Sequence, residues 1–231
     1  MIVFVDYEHA EGHRSKWGTK LLAARTTITY RLEDLSGQHC MLVRYDRVTP
    51  QLMDQLDAKA VFISGNGTDP GRYDPASLKP LGDVVRSGQL PIFGFCGGFQ
   101  FLAQSLGGRI APIDSEVDAE HRSLLQPFSD GRLGEVGYHP VEIRGKHPLV
   151  DSLGAEPVFR HAHHLEVPEQ PAGFEVLASS PISRIQMAVD DERRILGTQF
   201  HPEYYTDEFP AGERLIRNFL SWADVHPDSA Q

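Results

Sequence analysis

The stretch "GFCGGFQ", residues 94–100, sets a thiol at a corner of the chain. An apolar run precedes Cys96 and a helical pattern follows it, with Gly94, Gly97 and Gly98 close by. Strand, sharp turn and helix make a nucleophile elbow, and small neighbours let the backbone turn. At a helix start, free backbone N–H groups favour thiolate over thiol. They also stabilise the oxyanion formed when a nucleophile attacks a carbonyl. A buried structural cysteine beside a glycine-rich turn fits the same residues. A catalytic thiol needs a base, and the base needs an orienting group. The chain has eleven histidines, so the presence of one carries little weight. The informative one lies in "TQFHPEYY", residues 198–205. Residues two apart on an extended chain face the same side, so His201 and Glu203 meet, with Pro202 stiffening the link. A carboxylate there fixes the imidazole tautomer and stabilises its charged form. A surface histidine and glutamate at a strand end would read the same way.

The elements that must position these residues follow from pattern. Short apolar runs alternate with helical patterns through the first half. "MIVFV", "HCMLVRY", "AVFIS" and "LPIFGF" read as strands; "KLLAARTTITYRLEDLSG", "TPQLMDQL", "PASLKPLGDVVRSG" and "GGFQFLAQSLGG" read as helices. The third of those helices has proline near its start and glycine at its end. This rhythm predicts an α/β fold, an open, mostly parallel twisted sheet with helices on both faces. In the second half, "EVGYHPVEI", "FEVLASS", "RIQMAVDD" and "RRILGTQFHP" read as strands, with "DDER" as a hairpin turn and a smaller antiparallel sheet expected. "AGERLIRNFLSWADV" has helical spacing and should pack back onto the sheet. The tail "HPDSAQ" is expected to be loose.

At 231 residues the chain is expected to be a single domain, 1–231. A formal charge of -10 argues against nucleic acid as a partner. No segment is long and apolar enough for a bilayer, and the opening "MIVFV" fits a first strand better than a signal peptide. Cys40 and Cys96 are the two cysteines. Cys40 reads as a small buried hydrophobe, a disulfide framework is not expected, and a reducing cytoplasm is the expected location.

Taken together, the two stretches resemble the class I glutamine amidotransferase family. Its G-x-C-x-G-x-Q pattern is met by Gly94, Cys96, Gly98 and Gln100, and its H-P-E pattern by His201, Pro202 and Glu203. "TYRLEDLSGQHCMLVRYD", "GEVGYHPVEI" and "PAGFEVLASS" resemble segments of family members serving anthranilate synthase, carbamoyl phosphate synthetase and GMP synthetase. The resemblance implies a Cys96–His201–Glu203 triad that hydrolyses the glutamine side-chain amide through a thioester, with no cofactor and no metal. It implies that Gln100 holds the amino-acid end of glutamine, and that His163 and His164 in "HAHHLEV" border the substrate. It gives the Gly97 N–H as one oxyanion donor.

The second donor should come from "ISGNGTDP". Here Asn66 stands where the family has glycine, and Gly67 where it has proline. Asparagine tolerates φ > 0, so Asn66 could present its own N–H; a flipped peptide would present that of Gly67. A second departure is the insertion 8–24, expected as a surface loop with an extra helical turn, or as a docking or pocket element. Three functions stay open. One is a glutaminase that passes ammonia to a synthase or ligase partner. Another is a stand-alone hydrolase of γ-glutamyl compounds. The third is a binding protein on the same fold.

Overall fold

The computed structural model describes residues 1–227. Residues 228–231, the end of the tail expected to be loose, lie outside the described residues. The first half runs β1 (Ile2–Asp6), α1 (Ala10–Arg14), α2 (Gly18–Ser36), β2 (Cys40–Arg44), α3 (Pro50–Gln55), β3 (Ala60–Ile63), α4 (Pro75–Ser87), β4 (Ile92–Phe95) and α5 (Gly97–Ser105). Local chemistry sets several ends. Thr49 caps α3 by accepting from the Leu52 N–H, and Asp74 caps α4 by accepting from the Ala76 N–H. Both α2 and α4 stop at a left-handed glycine, Gly37 and Gly88.

The second half begins with β5 (Ala111–Pro112), α6 (Ile113–Glu116), β6 (Gln126–Pro127), β7 (Leu133–Pro140) and β8 (Glu142–Ile143). It continues through β9 (Val158–His163), β10 (Leu165–Glu166), β11 (Glu175–Ser179), β12 (Met187–Asp190), β13 (Ile195–Thr198) and α7 (Ala211–Trp222). The main sheet has eight strands in the order β2-β1-β3-β4-β13-β12-β11-β8. Pairing is parallel from β2 through β13 and antiparallel beyond it. The expected smaller antiparallel sheet is β6-β7-β9. Four second-half strands thus extend the main sheet, and "EVGYHPVEI" divides at Pro140, β7 serving the small sheet and β8 the large one.

Alternation along β1 assigns the two faces. Ile2 and Phe4 join the core under α2 and α7; Val3 and Val5 join the core under α3, α4 and α5. Helix α7 buries Leu215, Ile216, Phe219 and Leu220, each worth about 1.5–3 kcal/mol against exposure. Phe219 meets Phe62 edge-on with ring centroids 5.3 Å apart. These contacts fix the carboxyl ends of β3, β4 and β13 side by side, the edge where open α/β sheets build their sites.

Candidate active site

Three segments leave that edge together. The first is the corner after β4. Cys96 has φ 49° and ψ -107°, a conformation rare for a residue with a side chain. Such strain costs on the order of 1–3 kcal/mol and persists only where neighbours impose it. Here the Cys96 N–H donates to Thr198 O at 2.7 Å, and Cys96 O accepts from the Gln100 N–H at 3.0 Å. The elbow read from "GFCGG" is present, and Gly97 opens α5 behind the thiol.

The second segment follows β13. His201 Nδ1 and Glu203 Oε1 are 2.8 Å apart, with Glu203 only 1% exposed. The route to this pairing differs from the extended chain expected. Strand β13 ends at Thr198, and residues 202–204 form a 3-10 turn opened by Pro202. That turn brings the carboxylate back under the ring. Arg31 on α2 donates to Glu203 O at 2.7 Å and pins the turn from outside. Burial alone would lower the pKa of His201, but the Glu203 carboxylate and the adjacent Cys96 sulfur outweigh it and hold the group up at about 10. With Nδ1 on Glu203, the ring also stands beside the Cys96 sulfur. His201 therefore carries its proton across the neutral range.

The third segment is the loop after β3. Gly65 O accepts from Arg25 Nη2 at 2.7 Å and from Ser64 Oγ at 2.9 Å. In a planar trans peptide the N–H points opposite the C=O, so the Asn66 N–H is turned away from Arg25. A Cβ added to Gly97 would lie 3.1 Å from Asn66 N and would run into Asn66 Oδ1. The backbones of 66 and 97 are thus in close approach beside the thiol, as two donors to one oxyanion must be. Gly65 is equally constrained, since a Cβ there would come within 2.8 Å of His201 Cε1.

Two expectations for this loop are corrected. Asn66 is not among the residues with positive φ, so it does not occupy a shape that glycine would adopt more easily. Its side chain is anchored, with Nδ2 donating to Thr68 O at 2.7 Å and to Tyr73 Oη at 3.1 Å. Gly67 is not a free donor either: its N–H donates to Glu8 Oε2 at 2.6 Å.

A narrow pocket beside Cys96 is lined by Asn66, Thr68, Gln100, Ala162, His164 and Leu165. Its volume is about 20 Å³, room for a single water. Gln100 Nε2 donates to Leu165 O at 2.9 Å. His163 contributes to the pocket wall, but its ring is committed elsewhere, with Nε2 3.0 Å from Glu135 Oε2. His164 packs edge-on against Phe128, its pKa lowered by burial and by Arg132. A wider cavity of about 240 Å³ lies on the His201 side, lined by Glu8, Leu21, Arg25, Arg160, His201 and Tyr204 among others.

Sequence reading missed several contributors. Arg25 and Glu8 act on backbone atoms 40 to 60 positions away, which no local pattern records. Gln199 Nε2 lies 3.9 Å from Cys96 Sγ. Beneath the small sheet, donor atoms of Glu135, His161 and His163 lie within 4.8 Å of one another, a spacing a metal could use. Glu135 Oε2 already accepts from Gln186 Nε2 at 2.7 Å. Burial works against its charge, yet His161 and His163 hold its pKa well below the usual carboxylate range. Among the described residues, no helix is long and apolar enough to cross a membrane.

Comparison with known proteins fits this geometry. A family model for glutamine amidotransferase class-I matches residues 24–222. A glutamine-hydrolyzing GMP synthase of Phenylobacterium zucineum is 32% identical over 197 residues, covering 83% of this chain and 33% of that protein. A glutamine-hydrolyzing GMP synthase of Natronomonas pharaonis, there one subunit of the enzyme, is 32% identical over 176 residues, covering 75% of this chain and 79% of that one. The chain spans about a third of the length of most of the curated relatives reported for it. Among solved structures, the glutaminase domain of Trypanosoma brucei CTPS with bound acivicin superposes with a TM-score of 0.64 at 18% identity, covering 100% of this chain and 96% of that one. A Methylobacillus flagellatus glutamine amidotransferase gives 0.65 at 15% identity, with 100% and 96% covered. At such identities the likeness concerns the fold.

Proposed function

This chain belongs to the class I glutamine amidotransferase family, and from that premise we propose that it hydrolyses the side-chain amide of glutamine and delivers the ammonia to a synthase. The observation that carries the reading is the strained Cys96 elbow set against a histidine whose far nitrogen rests on a buried glutamate.

The chemistry follows from the charges. His201, with its pKa at about 10, holds a proton at neutral pH, and an imidazolium beside a cysteine favours attack by the thiolate form. Cys96 Sγ attacks the amide carbon, and the carbonyl electron pair moves to oxygen. The Gly97 and Asn66 N–H groups receive that oxyanion. When the intermediate collapses, the C–N bond breaks and the nitrogen takes the His201 proton, leaving as ammonia. The thioester on Cys96 remains. Neutral His201 then removes a proton from water, the hydroxyl adds to the thioester carbon, and glutamate leaves as Cys96 and His201 return to their charged pair. Glu203 holds the ring throughout and stabilises its charged form.

The relatives are glutamine-hydrolysing GMP synthases, so the acceptor we propose is a synthase of that kind, carried outside the residues described. The wider cavity beside His201 favours one second reading, a hydrolase of γ-glutamyl amides whose larger leaving amine sits there. The test is ammonia release from glutamine by wild type and Cys96→Ala, with and without cell extract, beside amine release from a γ-glutamyl anilide. Ammonia from wild type alone or with extract supports the amidotransferase. Turnover of the anilide with none of glutamine supports the second reading, and no turnover of either leaves a binding protein.

A further inference from the structure

The insertion that begins at Glu8 is unexplained by the triad. Glu8 is a carboxylate only 1% exposed, and it faces the loop that carries Asn66. Its Oε2 accepts from the Gly67 N–H at 2.6 Å. Its Oε1 accepts from the Thr68 N–H at 3.2 Å and from Thr68 Oγ1 at 2.6 Å. The His9 N–H donates to the same Oε1 at 3.0 Å, so the carboxylate is held from its own side as well. Helix α1 makes room for it: a Cβ at Gly12 would run into the Glu8 carboxyl group.

These bonds bear on the direction of the Asn66 N–H. The Gly65–Asn66 peptide is held at its carbonyl end by Arg25 and Ser64. The next peptide, Asn66–Gly67, is held at its N–H end by Glu8. Turning over either peptide breaks one set of contacts, so the two together fix the residue between them. We propose that Glu8 is a positioning residue of the oxyanion hole, clamping residues 67 and 68 so that the Asn66 N–H stays aimed at the tetrahedral intermediate. The proposal rests on the amidotransferase reading above. It gives the insertion a catalytic purpose that acts through the backbone of the 66–68 loop.

A clamp of this kind acts in the transition state, when charge appears on oxygen, and little in the ground state. Alkylation of Cys96 by iodoacetamide forms no oxyanion, so it reports on the thiol without using the hole. The experiment takes the full chain as wild type, Glu8→Ala, Glu8→Gln and Gly12→Ala. It measures kcat and KM for ammonia release from glutamine, the alkylation rate of Cys96, and Tm. Loss of one oxyanion donor lowers turnover by about 10² to 10³, and Glu8→Ala is expected to approach the lower figure with KM and alkylation nearly unchanged. Glu8→Gln keeps one acceptor for Gly67 but turns an amide NH₂ toward Thr68, so its loss should be smaller. Gly12→Ala displaces the carboxylate without removing it and should also lower kcat.

Wild-type kcat in folded Glu8→Ala overturns the proposal. A parallel fall of turnover and alkylation does the same, because it means the whole elbow has loosened. If Glu8→Ala does not fold, wild-type kcat in both Glu8→Gln and Gly12→Ala is the refuting result. A wild type that turns over neither glutamine nor a γ-glutamyl anilide, with or without cell extract, ends the amidotransferase reading, and the clamp falls with it. An active wild type with unaffected variants removes Glu8 alone.

Discussion

Replacing Glu203 with glutamine tests the electrostatic core of the site. The change removes a buried charge 2.8 Å from His201 Nδ1 while keeping an oxygen that can accept its hydrogen bond. His201 stands at about 10 against an ordinary 6.5. At 1.36 kcal/mol per pH unit, that is roughly 5 kcal/mol of preference for the imidazolium. Burial opposes it, and Glu203 and Cys96 supply it. If Glu203 carries about half of the net preference, its loss is worth roughly 2–3 kcal/mol, or about 10² in kcat. A wrong tautomer would deepen the loss toward about 10⁴. His201→Ala, which removes the acid and base outright, should be slower still. The linkage has a definite sign. A group with a raised folded-state pKa adds stability that is full below its unfolded value of 6.5 and fades as pH rises through about 10. The Glu203→Gln melt should therefore lie below wild type at pH 6 and approach it above pH 10. The assays are coupled ammonia release and NMR titration of the His201 ring. A Glu203→Gln enzyme with wild-type kcat, or with His201 still titrating near 10, would refute the reasoning.

Cys96→Ala should abolish amide hydrolysis and leave the chain folded, because it removes a single sulfur from a buried residue that belongs to neither of the two large apolar clusters; measurable turnover would remove Cys96 as nucleophile. Iodoacetamide should label Cys96 much faster than Cys40, whose thiol is pushed up to about 12 by burial, with Glu33 adding to it; equal labelling, read by peptide mass spectrometry, would contradict an activated Cys96. Asn66→Gly keeps the backbone N–H but loses the anchors to Thr68 and Tyr73. Since the native φ is not left-handed, glycine gains nothing there, and stability should fall by about 1–2 kcal/mol along with kcat/KM for glutamine and for a γ-glutamyl anilide. Unchanged melts and kinetics would mean the side chain is idle.

The parallel half of the fold was legible because its strands are short apolar runs between capped helices. Strand β9 was not. Its inward positions are Phe159, His161 and His163, so two of the three buried side chains read as polar. Their burial makes sense only beside Glu135, which β7 places opposite His163. A polar face buried on a polar partner has no signature in hydropathy. The same limit explains why "EVGYHPVEI" read as one strand, since nothing local says that the chain changes sheets after Pro140.

At the site, side-chain chemistry was legible and backbone chemistry was not. Cys96, His201 and Glu203 are recognisable by type and neighbours, even though a 3-10 turn rather than an extended chain brings the last two together. The direction of an N–H depends on what holds the next carbonyl, and here the holders are Arg25 and Glu8. The sequence showed two separate departures, Asn66 and Gly67 in the loop and an insertion beginning at residue 8. The structure makes them neighbours. A loop with glycine where proline is expected lacks the fixed φ that proline imposes, and its peptides are freer to turn over. An external restraint on the Gly67 N–H does the same work, and a buried carboxylate is well suited to it because bonds to a charged acceptor are the stronger ones. The insertion and the altered loop are then two halves of one arrangement, and changing Gly67 to proline would remove the very N–H that Glu8 holds.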